Sequence, residues 1–149
     1  MNEYEINSKT LALISLKDNK TKVIEENEIY IINQSVKEVI NHSCKYFGSS
    51  YLGRYEGTKA IIGITYKSPI LIEETNYIIF FPTCSVRNKN CNWISLNKIK
   101  DYKKYNHNSK IIFKNNLELV LDISIGSLEN QILRSTLLES KIRKRKNSI

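Results

Sequence analysis

The chain has 149 residues, 41% of them hydrophobic, with a formal net charge of +8. That length suits one domain whose folding removes roughly 68–70% of the unfolded surface from water. No apolar run nears the roughly 20 residues that span a bilayer, and Met1 to Glu5 lack the basic-then-apolar order of a leader peptide, so the expectation is a cytoplasmic protein with no membrane partner.

Thr10 to Leu16 and Lys22 to Ile32 are rich in Ile, Val, Leu and Tyr and partly alternate, which predicts two strands joined by a polar turn at Asp18-Asn19-Lys20. Ser35 followed by Glu38 forms a capping-box pattern. Val36, Val39, Ile40 and Phe47 then share one helical face, and Gly48 can close that helix in a left-handed cap. On this reading Ser49 to Arg54 is a loop and Thr58 to Tyr66 returns to strand, ended by Lys67-Ser68-Pro69.

Ile70 to Ile72 and Tyr77 to Phe81 read as short strands, the second stopped by Pro82. Val86 to Asn92 reads as an exposed loop. Trp93–Leu96, Lys98–Tyr105, Lys110–Lys114 and Leu117–Ile123 form a strand series, with a tight hairpin at Asn115-Asn116. Ser127 to Lys146 is predicted helical, capped by Ser127, with Leu128, Ile132, Leu133, Leu137, Leu138 and Ile142 as its apolar stripe. The expected fold is α+β: a largely antiparallel β-sheet with one internal helix and a C-terminal helix packed on the sheet.

The charge is uneven. Residues 1–43 carry five basic and seven acidic side chains, a net of −2, which leaves +10 for the rest. Eight cations lie between Val86 and Lys114 against Asp101 alone, and Lys141 to Lys146 adds five in six residues. A polyanion is the natural partner of that asymmetry, although a Lys-rich face can equally be just solvated. The segment 141–149 reads as a phosphate clamp or as a disordered cationic end.

Candidate chemistry is sparse. Gly48 to Tyr55 imitates a phosphate-binding P-loop, but a helix precedes it and Tyr55 stands where magnesium needs Ser or Thr. Cys44, Cys84, Cys91, His42 and His107 lack the paired spacing of a zinc site. Three cysteines cannot all pair within the chain, and none forms Cys-x-x-Cys, which suits a reducing compartment. Core packing is the better reading of Cys44 and Cys91. Trp93 reads as a core anchor, with stacking on an exposed base as its rival. No catalytic residue, metal or cofactor is expected, and the chain reads as a non-enzyme.

Residues 44 to 54, Cys-Lys-Tyr-Phe-Gly-Ser-Ser-Tyr-Leu-Gly-Arg, resemble the signature of the ComK-type competence transcription factors. Further blocks follow in the family's order: Lys67-Ser68-Pro69-Ile70, Phe80-Phe81-Pro82-Thr83 with Ser85, and Cys91 with Trp93-Ile94-Ser95. Ile123-Ser124 and Glu129-Asn130-Gln131 with Arg134 complete the match across residues 36 to 138. Cys84 sits where the resemblance asks for no cysteine.

The resemblance implies a single ComK-like DNA-binding domain over 1–149 that activates competence (DNA uptake) genes. Family members bind paired A-rich and T-rich boxes in double-stranded DNA, mainly through the minor groove, as oligomers built from dimers. A homo-oligomer, a proteolytic adaptor as a further partner and association with the nucleoid follow by the same route. Arg54 and Arg87 are the expected groove or phosphate contacts, with Lys45, Lys67 and Lys89 on phosphates. Ser49 and Ser50 would assist, and Arg134 matches a family position on the last helix. Family members typically continue beyond the position of Arg145, so the alternative is a short, non-activating paralogue that modulates a full-length activator by hetero-oligomerisation.

Overall fold

Several strands of this chain carry two apolar residues in succession, and the fold buries both. Successive side chains on a strand point to opposite faces, so Val23-Ile24, Phe80-Phe81 and Trp93-Ile94 demand a sheet covered on each side. The structure, a computed structural model, describes residues 1–88 and 90–148. It contains β1 (Thr10–Leu16), β2 (Lys20–Glu25), β3 (Ile29–Ile32), α1 (Val36–Tyr46), α2 (Tyr51–Ile62), β4 (Ile70–Glu73) and β5 (Ile78–Pro82). It continues with β6 (Trp93–Ser95), a 3₁₀ turn at Leu96–Lys98, β7 (Ile99–Tyr105), β8 (Asn108–Phe113), β9 (Glu118–Leu121) and α3 (Ile125–Asn147).

Six strands form one antiparallel sheet in the order β3-β2-β1-β6-β5-β4, and β7-β8-β9 form a second. Val23, Phe80 and Trp93 face α1, where Val39, Ile40 and Cys44 complete one core. Ile24, Phe81 and Ile94 face the other way and meet Ile111, Phe113 and Leu121 of the small sheet, with Leu128 of α3. A third cluster joins Leu71 and Ile79 to Leu138 and Ile142 of α3. The α+β class, the antiparallel pairing and the packed C-terminal helix agree with the sequence reading.

Four details differ. The expected strand Lys22–Ile32 is two strands, broken at residues 26–28. The internal helical region holds two helices, not one: the expected loop Ser49–Arg54 is a turn only at Ser49 and Ser50, with Tyr51–Arg54 opening the second helix, and Thr58–Tyr66 is not a strand. β-branched Thr58, Ile61 and Ile62 suggested a strand, but Thr58 is turned inward, its hydroxyl donating to the Pro69 carbonyl at 2.7 Å. Gly63, at φ 72°, ends α2 in a left-handed cap. The last helix is capped by Ser124, which accepts from the Ser127 N–H, and not by Ser127.

The buried seam of α3 is Leu128, Gln131, Ser135, Leu138 and Ile142. Two polar residues therefore hold places where an apolar stripe was expected, and Leu133 and Leu137 are exposed instead.

Candidate nucleic-acid interface

The signature segment is a helix–turn–helix junction. Gly48, at φ 89°, leaves α1 in the conformation glycine tolerates best. Its N–H donates to the Lys45 carbonyl at 3.0 Å and that of Ser49 to the Cys44 carbonyl at 2.9 Å, the paired bonds of a Schellman cap. Ser50 then caps α2, accepting from the Gly53 N–H at 2.9 Å. The Tyr51 N–H is taken by Asn41 Oδ1 at 2.9 Å. A Cβ on Gly53 would approach Ser49 Oγ to 2.8 Å, so a side chain at Gly53 would crowd this turn. Ser49, Ser50 and both glycines are thus engaged in building the junction.

Arg54 lies in the first turn of α2 with its side chain 15% exposed, and its Nη1 donates to Glu74 Oε1 at 3.2 Å. Its Nε is buried without a hydrogen-bond partner among the described residues. The guanidinium ties α2 to the β4–β5 turn. Beneath it, burial pushes the Cys44 thiol up to about 11, with the Arg54 charge pulling weakly the other way.

The remaining expected residues fall in two places. Lys67 has φ 51°, its Nζ lies over the Tyr66 ring, and its carbonyl accepts from Gln131 Nε2 at 2.9 Å. The same amide donates to the Pro82 carbonyl at 2.7 Å, and Arg134 Nη1 donates to the Tyr66 carbonyl at 2.9 Å. Gln131 and Arg134 therefore strap α3 to residues 66–67 and to the end of β5. Arg87 is exposed on the β5–β6 loop; Lys89, its expected companion, lies outside the described residues.

Around that loop the fold assembles what the linear sequence does not. A groove of about 640 Å³ runs between α1, the start of α2 and the loop, lined by Lys37, Lys45, Tyr51, Leu52, Val86 and Trp93. Trp93 is 2% exposed and fills the core, meeting the Tyr51 ring edge-on at 6.3 Å between centroids. A second depression of about 290 Å³ is bordered by Lys17, Lys20, Lys37, Val86 and Asn88. Arg87 lies between Val86 and Asn88 in the chain.

Lys17, Lys20, Lys37, Lys45 and Arg87 are all exposed. Among the described residues none of the five forms an ion pair. The sequence reading names Lys45 and Arg87 but not Lys17, Lys20 and Lys37, which come from a segment of net negative charge. No one-dimensional spacing connects these five, so only the three-dimensional fold identifies the cluster.

Further cations are exposed on β7 and after β8, namely Lys100, Lys103, Lys104 and Lys114. Lys98 and Lys110 are instead paired with Glu26 at 3.3 Å and Glu118 at 3.0 Å. The basic run Lys141 to Lys146 lies in the last turns of α3, where cations suit the negative end of the helix dipole. Among the described residues no group of three or more His, Cys, Asp or Glu side chains is placed to hold a metal ion. None of the described helices is long and apolar enough to cross a membrane.

Residues 1–147 match the family model described as ComK protein. The chain is 34% identical over 149 residues to the competence transcription factor of Bacillus subtilis (strain 168), covering 97% of this chain and 78% of that relative. No solved structure matches the chain at a significant level. A family match over nearly the whole length, with the signature residues forming one connected junction, makes the chain a member of the ComK family.

Proposed function

We propose that this chain is a DNA-binding transcriptional activator of competence (DNA uptake) genes, acting on AT-rich boxes mainly through the minor groove. The observation that carries the DNA-binding part is the exposed set of Lys17, Lys20, Lys37 and Lys45 bordering two depressions that share Lys37 and Val86, with exposed Arg87 next in the chain to Val86 and none of the five in an ion pair among the described residues. Phosphate neutralisation by such cations supplies most sequence-independent affinity. A narrow A-tract minor groove has an enhanced negative potential that draws Arg and Lys into it. The relative's name, competence transcription factor, supplies the biological direction.

On this reading Arg87 enters the groove and the four lysines hold phosphates on either side. The α1–α2 junction positions that surface: α2 offers Glu56 and Lys59 to solvent, a poor charge set for a recognition helix. Paired boxes call for a symmetric homo-oligomer, and cytoplasmic action on the nucleoid, with turnover through a proteolytic adaptor, completes the proposal.

Band-shift titration of the purified chain on an A-box/T-box duplex tests it, beside a G·C-rich duplex of equal length and in the presence of a minor-groove-binding dye. The expected result is preference for the AT-rich duplex, displacement by the dye and steep loss of affinity with salt. Equal affinity for both duplexes, or indifference to the dye, would overturn the minor-groove reading. A salt-independent complex would overturn the cationic-surface reading.

A further inference from the structure

Two of the three free cysteines, Cys84 and Cys91, flank the β5–β6 loop just past the last paired residues, Pro82 and Trp93. In the β5–β6 ladder Phe80 opposes Ser95, Phe81 opposes Ile94 and Pro82 opposes Trp93. One step further, the Thr83 N–H donates to the Asn92 carbonyl at 2.9 Å, and Asn92 N–H donates to Thr83 Oγ1 at 3.2 Å. Just beyond, the Cys91 thiol donates to the Cys84 carbonyl oxygen at 3.2 Å, and the Cys84 side chain is a hydrogen-bond neighbour of the same thiol.

Directly opposed residues of an antiparallel pair lie about 4.5–5.5 Å apart at Cα with both side chains on one face. Disulfides form at Cα separations of roughly 4.4–6.8 Å. With Thr83 and Asn92 hydrogen-bonded one residue away and the Cys91 thiol against the Cys84 backbone, the two side chains start within reach of that geometry.

We infer that Cys84 and Cys91 form a reversible thiol–disulfide site at the neck of the β5–β6 loop, close in the chain to Arg87, in response to hydrogen peroxide. The two thiols are not equivalent. Cys91 is 4% exposed, whereas Cys84 is half-buried and is the one peroxide can reach. The Cys84 thiolate attacks one peroxide oxygen: an S–O bond forms, the O–O bond breaks, and hydroxide leaves. Cys84 is now a sulfenic acid. The Cys91 sulfur then attacks that sulfur, losing its proton; the S–S bond forms, the S–O bond breaks, and water departs. Two thiols lose two electrons and two protons, and peroxide becomes two molecules of water.

Burial and the neighbouring Cys84 hold the Cys91 thiol well above its ordinary range, so before oxidation Cys91 is kept as the protonated thiol. In a reducing compartment such pairs are transient and sensing rather than structural. Cys44, fully buried under Arg54, stays outside the exchange.

The test uses the full chain and does not depend on DNA. Reduced protein is treated with hydrogen peroxide and quenched, its thiols are counted in denaturant, and its peptides are mapped with and without reductant. The expected result is a fall from three free thiols to one, a monomeric Cys84–Cys91 link that reductant reverses, and slower tryptic cleavage after Arg87. Cys84→Ser should protect Cys91 from the same peroxide dose, and Cys91→Ser should leave a trappable sulfenic acid at Cys84. The inference is overturned by a link involving Cys44, by intermolecular links alone, or by Cys84 passing to sulfinic acid while Cys91 stays reduced. Equal oxidation of Cys91 in wild type and Cys84→Ser would overturn it as well.

Discussion

Arg54→Ala separates two roles for the most distinctive cation of the family signature. In the fold Arg54 is 15% exposed and bound to Glu74, itself 57% exposed on its side chain. Solvent screens a pair with one such open partner, so a double-mutant cycle with Glu74→Ala should return a coupling of about 0.5–1 kcal/mol. Losing the packed stem of the side chain adds to this, which puts Arg54→Ala at about 1–2 kcal/mol of destabilisation. A direct groove contact would instead cost about 1–3 kcal/mol of binding and relax sequence preference. The expected outcome is a lower urea midpoint for Arg54→Ala, a smaller drop for Glu74→Ala, and DNA affinity within about twofold of wild type at a temperature where each is folded. Urea unfolding and band-shift titration at matched salt measure the two quantities. A folded Arg54→Ala protein that loses tenfold or more in affinity, about 1.4 kcal/mol, while Glu74→Ala binds normally would refute the positioning role.

Gln131→Ala removes two hydrogen bonds from one amide and leaves the Lys67 and Pro82 carbonyls without that donor; the expected loss is about 2–3 kcal/mol in urea unfolding at unchanged slope, since orphaned buried acceptors are costly. Arg87→Ala and Lys37→Ala should each weaken DNA binding and each reduce the log–log salt dependence by about 0.9, checked by titration at several salt concentrations. An unchanged slope removes that residue from the phosphate surface. Burial pushes the Cys44 thiol up from its ordinary range to about 11 in the folded chain. A group raised in this way stabilises the neutral-thiol fold fully below its unfolded value and loses that contribution as pH rises between the two. Wild type should therefore lose stability with rising pH across that window more steeply than Cys44→Ala, as read by denaturation at a series of alkaline pH values; equal slopes would remove Cys44 as a contributor.

The strands and the capped helix were legible because each rests on a local signal. Ser35 with Glu38 is a capping box in sequence, and the Glu38 carboxylate does accept the Ser35 N–H at 3.1 Å. Asn116, at the predicted hairpin, takes φ 71°, a conformation Asn adopts more readily than most residues. Helix α2 was illegible for the converse reason. Gly53 and Gly57 depress helix propensity by about 1 kcal/mol each relative to Ala, and Thr58 is its only fully buried residue. Its support comes from Ser50, from Asn41 ten residues upstream of Tyr51 and from Glu74 twenty residues beyond Arg54. A window along the chain does not see those partners.

The same distinction governs the charge. Residues 1–43 sum to −2, which draws attention away from Lys17, Lys20 and Lys37. Yet the carboxylates in that segment are mostly engaged: Glu5 with His42, Glu25 with Tyr4, Glu26 with Lys98 and Glu28 with Tyr30. Glu38 caps α1 but also borders the first groove beside Lys37 and Lys45. Asp18 is the acid that accompanies Lys17, Lys20 and Lys37 along the second depression. A linear count adds charges that the fold separates, whereas a phosphate about one Debye length away, roughly 8–10 Å at moderate salt, responds only to the charges on the face it meets. Lys37, which borders both depressions, links Lys17 and Lys20 to Lys45, and a shared loss of salt dependence on substituting these lysines is the result expected if DNA meets them together.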